Sequence, residues 1–322
     1  MDIKQYVPSR VVSPASMPTK FGSKTGLKVS QGKGKWSSWA SILTPSSKIS
    51  PHMQLTRVSA SSTFSVEKDR LDLSQNLTLD AIRSSLIRQE DSIIFNLLER
   101  AQYCFNAPAY DVNAFSMPGF SGSLIEYILR ETEHLNAKVG RYKSPDEHPF
   151  FPQGLPEPLL PPLRYPQVLH PIAHSININE SVWSMYFDSL LPRFAAKGDD
   201  GNYGSTAVCD TLCLQALSKR IHYGKFVAEA KFRASPEVYE VAIRAQDKDQ
   251  LMNLLTFENV ELAVQKRVEE KAKAYGQEVS LDVTKVNSTY KIQPSLIANL
   301  YGEWIMPLTK EVQVAYLLRR LD

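Results

Sequence analysis

Arg220 and Lys231 stand eleven residues apart, about three helical turns, inside a segment whose apolar residues recur at helical spacing. Thr309 and Gln313 are four apart near the C-terminus and share a helix face in the same way. Arg83 follows Ile82 in the first periodic segment, and Glu261 opens another. Such a set could grip an anion. Arg offers a planar fork that binds a carboxylate through two bonds, and Lys and Gln add single donors. Spacing alone would not select these residues, because one cation on a long helix is ordinarily solvated. No nucleophile elbow, phosphate loop, dinucleotide glycine fingerprint or zinc spacing accompanies them. Asp199 and Asp200 lie among Gly and Lys, not on a helical pattern, so an aspartate-rich diphosphate site is not indicated either.

The elements that must position these groups are helices. Residues 74–102 place Leu79, Ile82, Leu86, Ile93, Leu97 and Leu98 at spacings of three, four and seven, with Thr78 or Ser74 available as a cap. Residues 105–121 read as a loop, 122–139 as a second helix, and 181–196 as a third. Between the last two runs a proline-rich stretch, 144–167, which cannot be regular helix because each proline removes an amide donor. A very long helix is expected over about 205–232, with Gly224 marking close packing or a bend. Pro236 opens another, and three more follow at 247–256, 258–275 and 294–321. No alternating strand and no internal repeat stands out. The fold class is all-α, a bundle of long helices.

Of the 322 residues, the first 66 hold nine Lys or Arg, one acid (Asp2) and 15 Ser. A basic, serine-rich, acid-poor leader without an apolar centre reads as an organelle transit peptide, the other reading being a basic arm that touches nucleic acid or a partner. The remainder is mildly acidic, so the basic isoelectric point says nothing about the mature protein's partners. No apolar run is long enough for a membrane span. Three cysteines, Cys104, Cys209 and Cys213, suit buried or half-buried thiols better than a disulfide framework or a metal site.

RIHYGKFVAEAKF at 220–232 resembles the signature helix of the eukaryotic, all-helical chorismate mutases. Residues 77–100, SPDEHPFFP at 144–152 and PLTKEVQVAYLLRRL at 307–321 resemble the same family, in its order. The leader points to the plastid members of land plants. The resemblance implies a plastid (chloroplast stroma) location, with residues 1–65 a transit peptide and 66–322 one domain holding catalytic and effector sites. It implies an all-α homodimer converting chorismate to prephenate with no cofactor, no metal, no nucleic acid and no membrane partner. It assigns Arg83, Arg220 and Lys231 to the cationic pocket, Glu261 to the ring hydroxyl, and Thr309 and Gln313 to the last polar wall. Arg83 and Arg220 would hold the two carboxylates, and Lys231 and Gln313 would donate to the ether oxygen as its bond breaks. Some relatives are polar where this chain has Phe257, so that wall of the pocket differs.

The resemblance also implies an effector site between subunits, with Arg141, Asn202, Gly204 and Ser205 holding an aromatic amino acid: Trp activating, Tyr and Phe inhibiting. Free amides at a helix start favour a carboxylate. Gly-Ser at such a place is otherwise a plain cap. Gly140 and Val208 replace polar side chains that read the effector's ring in fungal members. The alternative function is a non-catalytic helical regulator that binds aromatic amino acids, which would keep the effector residues and lose the cationic set.

Overall fold

The structure, a computed structural model, describes residues 78–161, 165, 167–277 and 289–322. The expected transit peptide, 1–65, lies outside them. Helix α1 (Leu79–Arg100) is capped by the Thr78 hydroxyl, which accepts from the Ala81 amide. Helix α2 (Leu124–Lys138) begins with a reciprocal box between Ser123 and Glu126. The third helix of the sequence is three pieces: α3 (Asn179–Ser184), a wide π turn over Met185–Leu190, and α4 (Leu191–Phe194).

Two further helices replace the single long one expected over 205–232. Helix α5 (Tyr203–His222) ends and α6 (Gly224–Ala234) begins around Tyr223. Then come α7 (Pro236–Arg244), α8 (Lys248–Leu255) and α9 (Glu258–Gly276). The last predicted helix is also interrupted: α10 (Pro294–Leu300), a π turn over Tyr301–Ile305, and α11 (Met306–Leu318). Both π turns end two residues before a proline, Pro192 and Pro307. A proline lacks the amide that the carbonyl four residues back would use, and its ring crowds that carbonyl; a widened turn relieves both. Only isolated bridges, no strands, occur among the described residues.

The core is apolar along facing helix stripes, with α1 against α5 and α6 against α11. Two buried charges lock it. Asp210 on α5 accepts from Arg100 Nε at 2.7 Å and from the phenols of Tyr186 (2.6 Å) and Tyr110 (2.7 Å). Glu229 on α6 accepts from Tyr316 (2.5 Å) and Arg320 (2.6 Å), clamping α6 to the end of α11.

The described residues of the proline-rich stretch form no α-helix, as expected. Glu133 holds it through the amides of Phe150 and Phe151, and burial pushes this carboxyl up to about 7. Lys225 Nζ, fully buried, holds the segment beyond it through the carbonyls of Ala173 (2.7 Å) and Ile176 (2.5 Å). The three thiols are free, Cys213 buried and the others half-buried. Among the described residues no helix is long and apolar enough to cross a membrane.

Candidate active site

Arg220, in the last turn of α5, is 5% exposed. Its Nη1 donates to Thr309 Oγ1 at 3.2 Å, and its Nε has no partner among the described residues. Burial pushes this guanidinium below its ordinary value, partly offset by Tyr301 and Glu90. Glu90 is engaged by Arg267, so among the described residues no carboxylate is in direct contact with this buried cation, which is expensive and marks a site suited to an anion that arrives later. Thr309 passes its own proton to the Ile305 carbonyl at 2.5 Å, inside the π turn, which fixes its hydroxyl as an acceptor for Arg220. Gln313, one turn on, donates to the Thr309 carbonyl at 3.3 Å, and its buried Oε1 has no partner among the described residues.

Gly224 explains how these helices approach so closely. A Cβ there would lie 2.6 Å from the Thr309 carbonyl oxygen and 3.4 Å from Gln313 Cγ. Of the two expectations for Gly224, close packing or a bend, the close packing is met.

Lys231, two turns along α6, lines a cavity of about 400 Å³ with Arg83, Leu86, Val227, Tyr239 and Phe257. That size suits a small ligand. Lys231 Nζ donates to the Leu255 carbonyl at 3.4 Å and lies 4.5 Å from the Phe257 ring centroid. Burial pushes this ammonium down to about 8; Glu261 opposes the shift, and Arg83 and Lys310 add to it. Arg83 is open to solvent at the start of α1 and pairs with Asp80 at 3.0 Å. An exposed pair of this kind contributes little and is easily exchanged for a better partner.

Glu261 in the first turn of α9 is paired with Lys310 at 2.9 Å. The expected residues therefore fall into two adjoining groups. Arg83 and Lys231 line the open cavity, and Arg220, Thr309 and Gln313 form a buried cluster behind Gly224. Helix α11 joins them, since Thr309 faces Arg220 and the next residue, Lys310, faces Glu261. A one-residue break at Tyr223 puts Arg220 at the end of α5 and Lys231 on α6, and each cation has its own set of neighbours.

Lys310 was not singled out in the sequence, because a lysine beside Thr309 looks like any solvated cation. Neither was the Glu90 carboxylate, 1% exposed, which binds Arg267 through two bonds (2.6 and 3.0 Å) and ties α1 to α9 behind Arg220.

The expected effector residues do not meet within one chain. Asn202 precedes α5, and Gly204 and Ser205 are exposed in its first turn. Arg141 instead donates to Gln215 at 3.2 Å and pairs with Glu147 at 3.0 Å. Gln215 lies ten residues beyond Ser205, about 15 Å along α5.

The sequence matches the family model for chorismate mutase type II over residues 202–314. It is 64% identical over 292 residues to chorismate mutase 1, chloroplastic, of Petunia hybrida, covering 89% of this chain and 90% of that protein. The fold matches a crystal structure of AtCM1 with phenylalanine bound in the allosteric site (TM-score 0.72, 69% identity, 79% of this chain and 100% of that one). It matches the chloroplast chorismate mutase of Zea mays equally (TM-score 0.72, 69% identity, 79% and 99%).

Proposed function

From the premise that this chain belongs to the type II chorismate mutases, and is a plastid chorismate mutase, we propose which of its residues do the work and how they are regulated. The reaction, chorismate to prephenate, is an internal rearrangement. It needs the two arms of a dicarboxylate stacked in a reactive geometry, which is a problem of orientation. Arg220 and Arg83 grip the two carboxylates. Lys231 and Gln313 donate to the ether oxygen, where negative charge grows as its bond breaks. Thr309 sets the Arg220 fork. Glu261 leaves Lys310 to accept from the ring hydroxyl. Arg83 leaves Asp80 and closes over the cavity mouth. No group on the protein makes or breaks a bond with substrate, and no cofactor is required.

The observation that carries this assignment is Arg220: a buried guanidinium with no carboxylate in direct contact among the described residues, beside an amide whose oxygen has no partner among them either. A non-catalytic regulator would have no use for such a group. Purified protein mixed with chorismate, followed by loss of chorismate absorbance, tests it. Arg220→Met should remove turnover while the fold stays intact. A variant that turns over chorismate at the wild-type rate would overturn the assignment.

The working assembly is a homodimer in which Arg141 of one subunit approaches Asn202, Gly204 and Ser205 of the other. Separation of these residues along α5 within one chain supports that reading. So do the exposed apolar side chains Val208 and Leu212 on α5 and Leu135 on α2, which leave this face unpartnered. An aromatic amino acid sits between the subunits, its carboxylate at the start of α5. Trp activates; Tyr and Phe inhibit. Residues 1–65 are the plastid transit peptide.

A further inference from the structure

Phe257 departs from a local rule. It occupies the N-cap of α9, where Asn, Asp or Ser would accept from a free amide, and no side chain caps this helix. Nor does it serve the core, since it is 50% exposed. Its ring instead lines the cavity that holds Arg83 and Lys231, with its centroid 4.5 Å from Lys231 Nζ. That is within reach of a cation–π contact.

The surroundings of Lys231 show what such a contact accomplishes. The ammonium is largely withdrawn from water, and the only hydrogen bond it makes among the described residues is the long one to Leu255 on α8. Arg83 on α1 and Lys310 on α11 both repel it. Tyr239 on α7 lines the same cavity, and burial raises its phenol, so it adds no counter-charge. The one attractive charge among the described residues, Glu261 on α9, is engaged by Lys310. A carboxylate placed directly on Lys231 would keep it protonated but would compete with an anionic substrate. An aromatic face keeps a cation charged without neutralising it.

We propose that Phe257 is a positioning residue for Lys231, holding the ammonium charged and aimed into the cavity until the substrate's developing charge replaces the ring. This rests on the reading that places Lys231 against the ether oxygen.

The test is the dependence of kcat/KM for chorismate on pH, from about pH 6 to about pH 9.5, which reports groups of the free enzyme. In Phe257→Leu the ring's attraction is lost and apolar bulk is kept. Its alkaline limb should move down by roughly half to one pH unit, a loss of about 3–10-fold above the limb with little change near pH 6.5. Phe257→Tyr and Phe257→Trp should keep the wild-type limb. A Leu profile that superimposes on wild type, or Tyr and Trp variants that lose as much as Leu, would overturn the proposal. Lys231→Met separates the two layers. If it stays fully active, the placement of Lys231 itself fails; if it is inactive while the Leu profile is unshifted, only the role of Phe257 fails.

Discussion

Gly224 and Thr309 lie so close that a single methyl group on the glycine would sit 2.6 Å from the threonine's carbonyl oxygen. A glycine in a helix usually costs stability relative to alanine, by about 1 kcal/mol. Here the order reverses, because the obstructing atom is backbone and cannot swing away. Gly224→Ala should destabilise the protein by about 1–3 kcal/mol, the cost of overpacking. It should also lower kcat disproportionately, since Arg220, Thr309 and Gln313 are set by the same contact. Denaturant melts and chorismate kinetics check both; a variant as stable and active as wild type would show that α6 and α11 can part freely.

Arg220→Met should separate stability from activity with opposite signs. Methionine fills much of the same space without a charge, and Thr309 keeps its bond to the Ile305 carbonyl. Removing a buried cation that has no carboxylate partner should leave the melting temperature equal to or above that of wild type. Substrate binding should lose about 2–5 kcal/mol, the usual consequence of deleting one side of a buried charged pair. Arg220→Lys should rescue little, because one ammonium cannot reproduce the fork. A fall in melting temperature together with activity would mean that Arg220 is structural.

Helices were the legible part of this chain. Stripes at three and four residues marked eight helical stretches, three of which prove to be interrupted among the described residues, and Thr78 and Pro236 stand where a cap and a first-turn proline belong. The π turns were not legible, since one extra residue in a turn leaves the apolar pattern almost unchanged; only the prolines two residues beyond hint at them. Gly224 announced its close approach, but not the break at Tyr223 that places Arg220 and Lys231 on two helices. Glu261 and Lys310 are 49 residues apart in sequence, and each reads as an ordinary surface charge. Arg100 and Asp210, 110 apart, looked the same although both are fully buried. Long-range pairing of charges carries no local signature, so the resemblance, not the pattern, had to supply the site.

That Arg100–Asp210 pair is where a single oxygen-to-nitrogen exchange should matter most for folding. Asp210→Asn keeps the shape but removes the charge that offsets Arg100. It also turns one acceptor facing Arg100 Nε or the tyrosine hydroxyls into a donor. A loss of about 3–5 kcal/mol is expected, as for any buried pair reduced to one partner. Urea midpoints at constant slope measure it. A loss below about 1 kcal/mol would show that Arg100 finds its compensation in the carbonyls of Tyr103 and Phe105.

Gln313→Glu should make catalysis depend on pH in a definite direction. The wild-type amide donates at any pH. A glutamic acid donates to an ether oxygen only when protonated, that is, below its pKa. Burial at this position raises that pKa and the neighbouring Arg220 lowers it, so the donor form is lost as pH rises through the resulting value. kcat/KM for the variant should therefore be low at neutral pH and recover toward acid, while wild type shows no fall between acid and neutral pH, only the alkaline limb set by Lys231. A flat profile in the variant would remove Gln313 from the ether oxygen.

Leu212→Glu should divide regulation from chemistry. Leu212 is 46% exposed on α5 and lies one turn from the equally exposed Val208. On the proposed dimer, a buried glutamate here would oppose association, since charges are depleted from the centre of such interfaces. All six proposed catalytic residues come from one chain, whereas Arg141 bonds to Gln215, about 15 Å along α5 from Ser205, so on the proposed dimer the effector residues meet only across two copies. The variant should sediment as a monomer at concentrations where wild type is a dimer. It should retain most chorismate turnover and lose its response to Trp and to Tyr together. A monomer that still responds would place the effector site within one subunit; a variant that stays dimeric would move the interface away from this face of α5.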